Sequence, residues 1–107
     1  TKRDQSFRLA YAKTYKLQPD VYAVQGYDAG QMLGIGLNAT KGDAKNIQGF
    51  AQAVRAAKID SPRGSFTMSK SHNPVQDIYL RKVVGKENML DSIASKALTD
   101  PGLGCKM

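Results

Sequence analysis

The sequence is poor in the residues that build metal centres and disulfide frameworks. Among 107 residues it has one cysteine, Cys105, one histidine, His72, and no tryptophan. A lone cysteine cannot form a disulfide within its own chain, and a metal site needs several converging ligands. The sequence therefore predicts no metal, no other cofactor and no internal disulfide. It leaves open whether Cys105 pairs with a cysteine elsewhere in a longer protein.

Long apolar runs are also missing. No run approaches the roughly 20 apolar residues that cross a bilayer. The first residues, 1–4, have neither an initiator methionine nor the apolar core of a signal peptide. The length suits one domain with a modest core. We therefore expect a chain that has been processed or cut from something longer.

No set of residues suggests a catalytic centre. His72 lies in a polar turn before Asn73 and Pro74, and no serine lies in a Gly-x-Ser-x-Gly elbow. Asp20 and Asp28 are the only close acids near residues 19–33, the stretch where we expect a ligand to bind, and no carboxylate pair suits glycoside chemistry. Enzyme is therefore the weakest functional class for this chain, and we predict that it is not one.

Acidic residues are few beside the basic ones. Sixteen Lys and Arg against nine Asp and Glu give a net charge of +7. The cations are scattered, whereas a nucleic-acid groove would concentrate them among exposed aromatics. Phe7, Tyr11 and Tyr15 have the spacing of a helical core stripe. A solvated basic surface, with no nucleic acid bound, is the preferred interpretation; a basic module for nucleic acid or an acidic partner stays open as the alternative.

The stretch from residue 19 to residue 33 changes its hydrophobic period. Residues 21–25 alternate as in a strand, with Tyr22 and Val24 on one face. From Asp28 onward the apolar spacing is helical, and Asp28 with Gln31 predicts a capping box at the start of that helix. A strand, a short turn and a capped helix often lie beside a ligand in α/β proteins. The glycines that follow do not have the dinucleotide-binding spacing.

The remaining elements predict a mixed α/β chain. An amphipathic helix over residues 4–17 comes first, and Asp43 is expected to cap a helix that ends near Lys58. Strands are predicted at residues 65–69 and 75–84, and a short helix at 89–98. The fold class is therefore α/β, with three to four helices and three short strands.

The order of several short motifs resembles a known family. It is similar to the C-terminal third of periplasmic solute-binding proteins of ABC importers, of the branched-chain amino acid (Leu/Ile/Val)-binding type. The similarity covers residues 4–84, and the tail after Val84 matches only loosely. The residues that carry it are Phe7, Tyr11 and Tyr15, Pro19-Asp20-Val21-Tyr22-Ala23, Gly26-Tyr27-Asp28-Ala29, Leu37-Asn38-Ala39, Ser61-Pro62-Arg63-Gly64-Ser65-Phe66 and His72-Asn73-Pro74-Val75-Gln76-Asp77-Ile78-Tyr79.

The resemblance implies part of a type I periplasmic-binding fold, in which two lobes close on a small ligand. Residues 1–107 would be one C-terminal fragment, incomplete on its own. Residues 1–24 would belong to the second lobe, 28–70 to the first, and 75–107 to a hinge strand and second-lobe tail, with a crossing at 24–27. Exposed apolar edges would then self-associate or pair with the missing part of the chain.

The resemblance also implies a function and three ligand-binding candidates. The protein would capture a small carboxylate-bearing ligand, an amino acid or organic acid, in the periplasm or lipid-anchored outside the cell, and deliver it to a membrane permease. Tyr22 falls where the family has an aromatic side chain facing the cleft. Tyr27 and Asp28 fall at the hinge, where we prefer packing for Tyr27 and helix capping for Asp28. The present residues do not choose among aliphatic amino acids, amides and aromatic acids.

Overall fold

The computed structural model describes residues 1–104 and 106, and Cys105 lies outside them. Within this part of the chain three helices precede a four-stranded antiparallel sheet in the order β1-β2-β3-β4, which confirms the α/β class. The elements are α1 (Lys2–Tyr15), α2 (Val21–Ala39), α3 (Ile47–Ala56), β1 (Lys58–Ile59), β2 (Phe66–Met68), β3 (Pro74–Val84) and β4 (Glu87–Leu98).

Helix α1 is the predicted first helix. It begins at Thr1, whose hydroxyl oxygen accepts a hydrogen bond from the Asp4 amide at 3.0 Å. It ends at Lys16, which adopts a left-handed conformation with φ of 59° and closes the helix by donating its amide to the Ala12 carbonyl. The proline at position 19 then separates α1 from α2.

Helix α2 corrects the central prediction. Residues 21–25 are not a strand, because α2 runs without a break over 19 residues from Val21 to Ala39. Its N-cap is Asp20, whose Oδ1 accepts from the Ala23 amide at 2.8 Å, so the capping role predicted for Asp28 is wrong. Pro19 and Asp20 form a helix start signal. The four small or apolar residues after them fit the hydrophobic period of a strand as well as that of a helix. The residues assigned to the interlobe crossing lie inside this helix, and the division between lobes stays a prediction.

Helix α3 packs closely on the end of α2. It begins at the N-cap Asn46, three residues later than the predicted Asp43, with Asn46 Oδ1 accepting from the Gly49 amide at 3.0 Å. A Cβ at Gly36 would lie within 3 Å of carbon atoms in the Phe50 ring. The glycine therefore permits the two helices to approach.

The sheet contains one strand that was missed and one that was predicted as a helix. Strand β1 is only two residues long, yet it places Ile59 opposite Phe66, and both are buried. The helix predicted at 89–98 is wrong, because β4 pairs with β3 along almost its whole length. Gly85, with φ of 61°, begins a two-residue hairpin turn of the kind that favours antiparallel pairing. That long-range pairing overrides the helical spacing of Leu90 and Ile93.

The chain divides into two regions that we call the body and the arm. The body is residues 1–75, and it contains the buried hydrophobic residues Phe7, Ile59 and Phe66. The arm is residues 76–98, because β2 pairs only with Pro74 and Val75 and β3 then pairs with β4 alone. Apart from Tyr79, which is half-buried, the large apolar side chains of the arm are all at least 38% exposed: Ile78, Leu80, Val83, Val84, Met89, Leu90, Ile93 and Leu98.

Candidate functional site

Asp28 lies in the third turn of α2 and is almost fully buried, at 3% exposure. Its Oδ2 accepts hydrogen bonds from Ser61 Oγ at 2.8 Å and from Arg63 Nε at 3.1 Å. The cation offsets part of the cost of burying the carboxylate. Oδ1 is buried without a hydrogen-bond partner among the described residues. The carboxylate therefore anchors the turn at residues 61–64 to the middle of α2.

Arg63 is held from two sides. Besides its bond to Asp28, its guanidinium lies over the Phe66 ring, 4.9 Å from the ring centroid. A cation over an aromatic face is attracted by the ring quadrupole. Arg63 thus joins the buried strand residue Phe66 to the buried acid of α2, and the 61–64 turn has a fixed place between them.

Asp60 ties α1 and α2 to the end of β1. The Gln31 side chain bonds to both backbone groups of Asp60, with Nε2 donating to the carbonyl at 2.9 Å and Oε1 accepting from the amide at 2.8 Å. Arg3 forms an ion pair with the Asp60 carboxylate at 2.6 Å, and that hydrogen-bonded carboxylate raises the already high pKa of Arg3. The predicted capping-box role of Gln31 is therefore wrong. Gln31 instead connects α2 to the backbone of residue 60.

Tyr27 packs on α1. Its ring lies 4.9 Å from the Phe7 ring between centroids, and its hydroxyl accepts from Arg3 Nη1 at 3.3 Å. Beyond Phe7 the rings of Tyr11 and Tyr15 continue along α1, 4.7 Å apart. These aromatics line an open groove of about 600 Å³ between the two helices. The predicted core stripe on α1 is thus buried only at Phe7, because Tyr15 is 61% exposed.

Tyr22 lies in the first turn of α2 and is 75% exposed. It precedes Tyr27 by five residues, which places the two side chains about 140° apart around the helix. Tyr22 therefore points away from the aromatic groove. Of the three candidates, Asp28 faces the 61–64 turn, Tyr27 faces α1 and Tyr22 faces solvent, so the described residues do not bring them together in one pocket.

Three partners of this region were not among the sequence candidates: Gln31, Ser61 and Arg63. The sequence contained one feature that pointed to a distant partner for Asp28. Asp28 has no Lys or Arg within four residues on either side, so no cation can pair with it along the helix. An acid in that position needs either solvent or a distant partner. Arg63, in the Ser-Pro-Arg-Gly turn, is that partner.

The structure also bears on metal binding and on membrane spanning. In the described part of the chain no group of three or more His, Cys, Asp or Glu side chains converges in a way that could hold a metal ion. None of the described helices is both long enough and apolar enough to cross a membrane.

The chain is similar to proteins of one kind. The family model described as periplasmic binding protein matches residues 1–88. A crystal structure of an ABC transporter solute-binding protein from R. palustris, in complex with benzoate, has a TM-score of 0.95 and 41% identity, over 100% of this chain and 30% of that one. An ABC transporter substrate-binding protein from Sphaerobacter thermophilus shares the fold, with a TM-score of 0.80 and 23% identity, over 91% of this chain and 28% of that one. No match is found among curated proteins.

Proposed function

Because the chain belongs to the periplasmic binding protein family, we propose that it forms part of the solute-binding component of an ABC importer. The observation that carries this proposal is the 41% identity to an ABC transporter solute-binding protein over the whole chain. The chain spans about 30% of that protein. The protein would close two lobes on its ligand, because the ligand makes more contacts in the closed state. It would work in the periplasm or lipid-anchored outside the cell, and pass its ligand to a membrane permease.

The ligand that we propose is a small aromatic carboxylate. The R. palustris protein was crystallised with benzoate, which favours an aromatic acid over the aliphatic amino acids that the sequence also allowed. Tyr22 suits this ligand, because an exposed aromatic ring can pack against another ring in an edge-to-face or offset arrangement. The exposed Tyr22 would form one wall of the cleft. The opposite wall would come from residues outside these 107.

Tyr27 and Asp28 take supporting roles in this proposal. Tyr27 packs on Phe7, and Asp28 bonds to Ser61 and Arg63. The two contacts lie on different faces of α2 and together fix its direction relative to α1 and the 61–64 turn. Since Tyr22 is one to two turns earlier on the same rigid helix, the angle at which its ring meets the ligand depends on both contacts.

Calorimetric titration tests the proposal. Benzoate is titrated into the solute-binding protein that contains this segment, as wild type, Tyr22→Ala and Tyr15→Ala. We expect wild type to bind benzoate, and Tyr22→Ala to weaken binding by about threefold to tenfold, the range expected for one aromatic contact. Tyr15→Ala is the matched control, because Tyr15 is also an exposed tyrosine but lies on α1. Its loss should leave the affinity unchanged.

Three results would contradict parts of the proposal. Equal benzoate affinity in wild type and Tyr22→Ala would remove Tyr22 from the ligand site. Binding of leucine in preference to benzoate would replace the aromatic acid by an aliphatic amino acid while keeping the solute-binding function. Absence of binding to either ligand would count against both ligand classes.

A further inference from the structure

A cluster of polar contacts joins the turn between β2 and β3 to the tail that follows β4. Asn73 Nδ2 donates to Asp100 Oδ2 at 2.7 Å, and the Gly102 amide donates to Asp100 Oδ1 at 2.9 Å. Ser71 Oγ donates to the Asp100 carbonyl oxygen at 3.2 Å. We call Ser71, Asn73 and Asp100 the latch. The two contacts between the turn and the tail, from Asn73 and from Ser71 to Asp100, span 27 and 29 residues of sequence.

The turn is shaped to present its side of the latch. The Ser69 amide donates to the Asn73 carbonyl at 2.8 Å, and the His72 amide donates to the Ser69 carbonyl at 3.1 Å. Ser69 Oγ lies 2.8 Å from Ser71 Oγ and accepts from the Asn73 amide at 3.2 Å. His72 has φ of 62°, a left-handed conformation that is uncommon outside glycine. The polar turn at His72 therefore has a structural task, which is to hold Ser71 and Asn73 towards the tail.

The latch lies at the base of the arm. Strand β3 is paired with β2 only at Pro74 and Val75. Strand β4 reaches the same level where Leu98 pairs with Gln76, and Asp100 follows two residues later. Strand β4 is therefore tied to the body in two ways, through β3 and through the latch, while β3 also brings the Tyr79 hydroxyl close to Gly64 of the body. Without the latch, β4 would be joined to the body through β3 alone.

The latch is charged and exposed. The Gly102 amide foremost, and then the Asn73 and Ser71 side chains, hold the pKa of the Asp100 carboxyl below its ordinary value. The carboxylate thus stays ionised near neutral pH, and its bonds are charge-assisted. Solvent and salt screen such exposed contacts and keep each of them weak. A contact of this kind can open and close without unfolding the body.

We propose that the latch restrains the pivoting of the arm about β3, and so governs how the arm moves relative to the body. Its functional meaning rests on the proposed lobe closure, in which an arm that leaves the body would follow the opening and closing of the clamp. With the latch closed, β4 has two supports and the arm has one preferred direction. With the latch open, it turns about the short β2–β3 pairing.

Spin-label distance measurements test the latch in the solute-binding protein that contains this segment, without ligand. Labels are placed at Gln52→Cys on α3 and Lys86→Cys at the arm tip, both exposed positions, in a background that carries Cys105→Ser and no other cysteine. The distribution of label distances is compared in the unmodified latch, Asp100→Ala and Asn73→Ala. The control is Asp91→Ala, an exposed carboxylate on β4 bonded to the neighbouring Ser92. Circular dichroism melting of each variant monitors the body.

We expect Asp100→Ala and Asn73→Ala to broaden the distance distribution and add populations at new distances, with the melting temperature and the Asp91→Ala distribution unchanged. The double variant should be no broader than Asp100→Ala, because both side chains act through one contact. Identical distributions in all variants would overturn the proposal. If Asp100→Ala fails to fold, the distance distribution of Asn73→Ala tests the proposal, because that variant keeps the bond between Gly102 and Asp100.

The outcome is separable from the proposed function. The distance measurement needs no ligand, and benzoate titration needs no labels. Benzoate binding with unchanged distance distributions would remove the latch and keep the solute-binding function. Broadened distributions without benzoate binding would keep the latch as a restraint on the arm and count against the ligand.

Discussion

The body and the arm use similar apolar residues with opposite results. In the body, Ile59 is 0% exposed and Phe66 3%, whereas in the arm Val83 is 76% exposed and Leu90 59%. The body packs helices against its short strands, so that Phe7, Ile59 and Phe66 meet a second layer, whereas Leu9 and Ile47 on the outer faces of its helices stay 74% and 73% exposed. The arm is two strands without a second layer among the described residues, and such a hairpin is marginally stable alone. Apolar sequence therefore produces a core only where the topology supplies a covering element.

The largest expected difference between the two regions is in the cost of losing one apolar side chain. Phe66→Ala should lower the free energy of unfolding by about 3–5 kcal/mol, because it removes a buried ring and the surface on which Arg63 lies. Leu90→Ala should change it by no more than about 0.5 kcal/mol, since the side chain is largely in solvent. Urea unfolding of this chain measures both. Similar losses for the two variants would show that the arm is packed as tightly as the body.

The next effect concerns the buried acid that locks the body together. Asp28→Ala leaves Ser61 Oγ and Arg63 Nε without their acceptor, which should destabilise the body by about 2–3 kcal/mol. Asp91→Ala, on the exposed arm, is the control and should change little. The same unfolding experiment compares them. A loss below about 0.5 kcal/mol for Asp28→Ala, the level of an ordinary surface substitution, would contradict the anchoring role.

Glycine substitutions along α2 should show where the body is close-packed. Gly36→Ala places a methyl group against the Phe50 ring, and overpacking of this kind costs about 1–3 kcal/mol. The helix preference of alanine offsets up to about 1 kcal/mol of that cost. Gly34→Ala is the matched control, because a Cβ there meets nothing within 4 Å, and it should be stabilising. Thermal unfolding of both variants measures these effects. A Gly36→Ala variant more stable than wild type would mean that α3 can move away from α2 at little energetic cost.

The smallest expected effect is the pH response at the base of the arm. Because the pKa of Asp100 is lower in the folded chain than its ordinary value of 3.8, the latch contributes stability above that value. The contribution is lost as the pH falls through the folded-state pKa. A carbon-detected NMR titration of the Asp100 carboxyl should give a midpoint below 3.8. A midpoint at or above the ordinary value would mean that the latch contacts do not form in solution.

The sequence predicted the α/β class, helix α1 and the strands at 66–68 and 74–84, because their patterns are long or are bounded by clear turns. It misplaced the start of α2, because the small and apolar residues 21–24 fit both the strand period and the helix period, and only the Pro19-Asp20 start signal distinguishes the two. It also missed β4, where the pairing with β3 outweighs a local helical pattern. Local residues decide the first kind of element, and distant partners decide the second.

The candidate site shows the same division. Tyr22 was singled out by its place in a family motif, and its contact with a ligand stays a prediction. The Asp28 network could not be assembled from spacing, because its partners Ser61 and Arg63 lie 33 and 35 residues further along the chain. The acid without a nearby cation was the part of that network that the sequence did contain.

The most direct test is a crystal structure, with benzoate bound, of the periplasmic binding protein that contains these residues. We expect the benzoate ring to lie in van der Waals contact with the Tyr22 side chain, at the start of an α2 that still bonds to residues 61–63 through Asp28. A benzoate molecule bound away from the first turn of α2, with Tyr22 in solvent, would contradict this expectation.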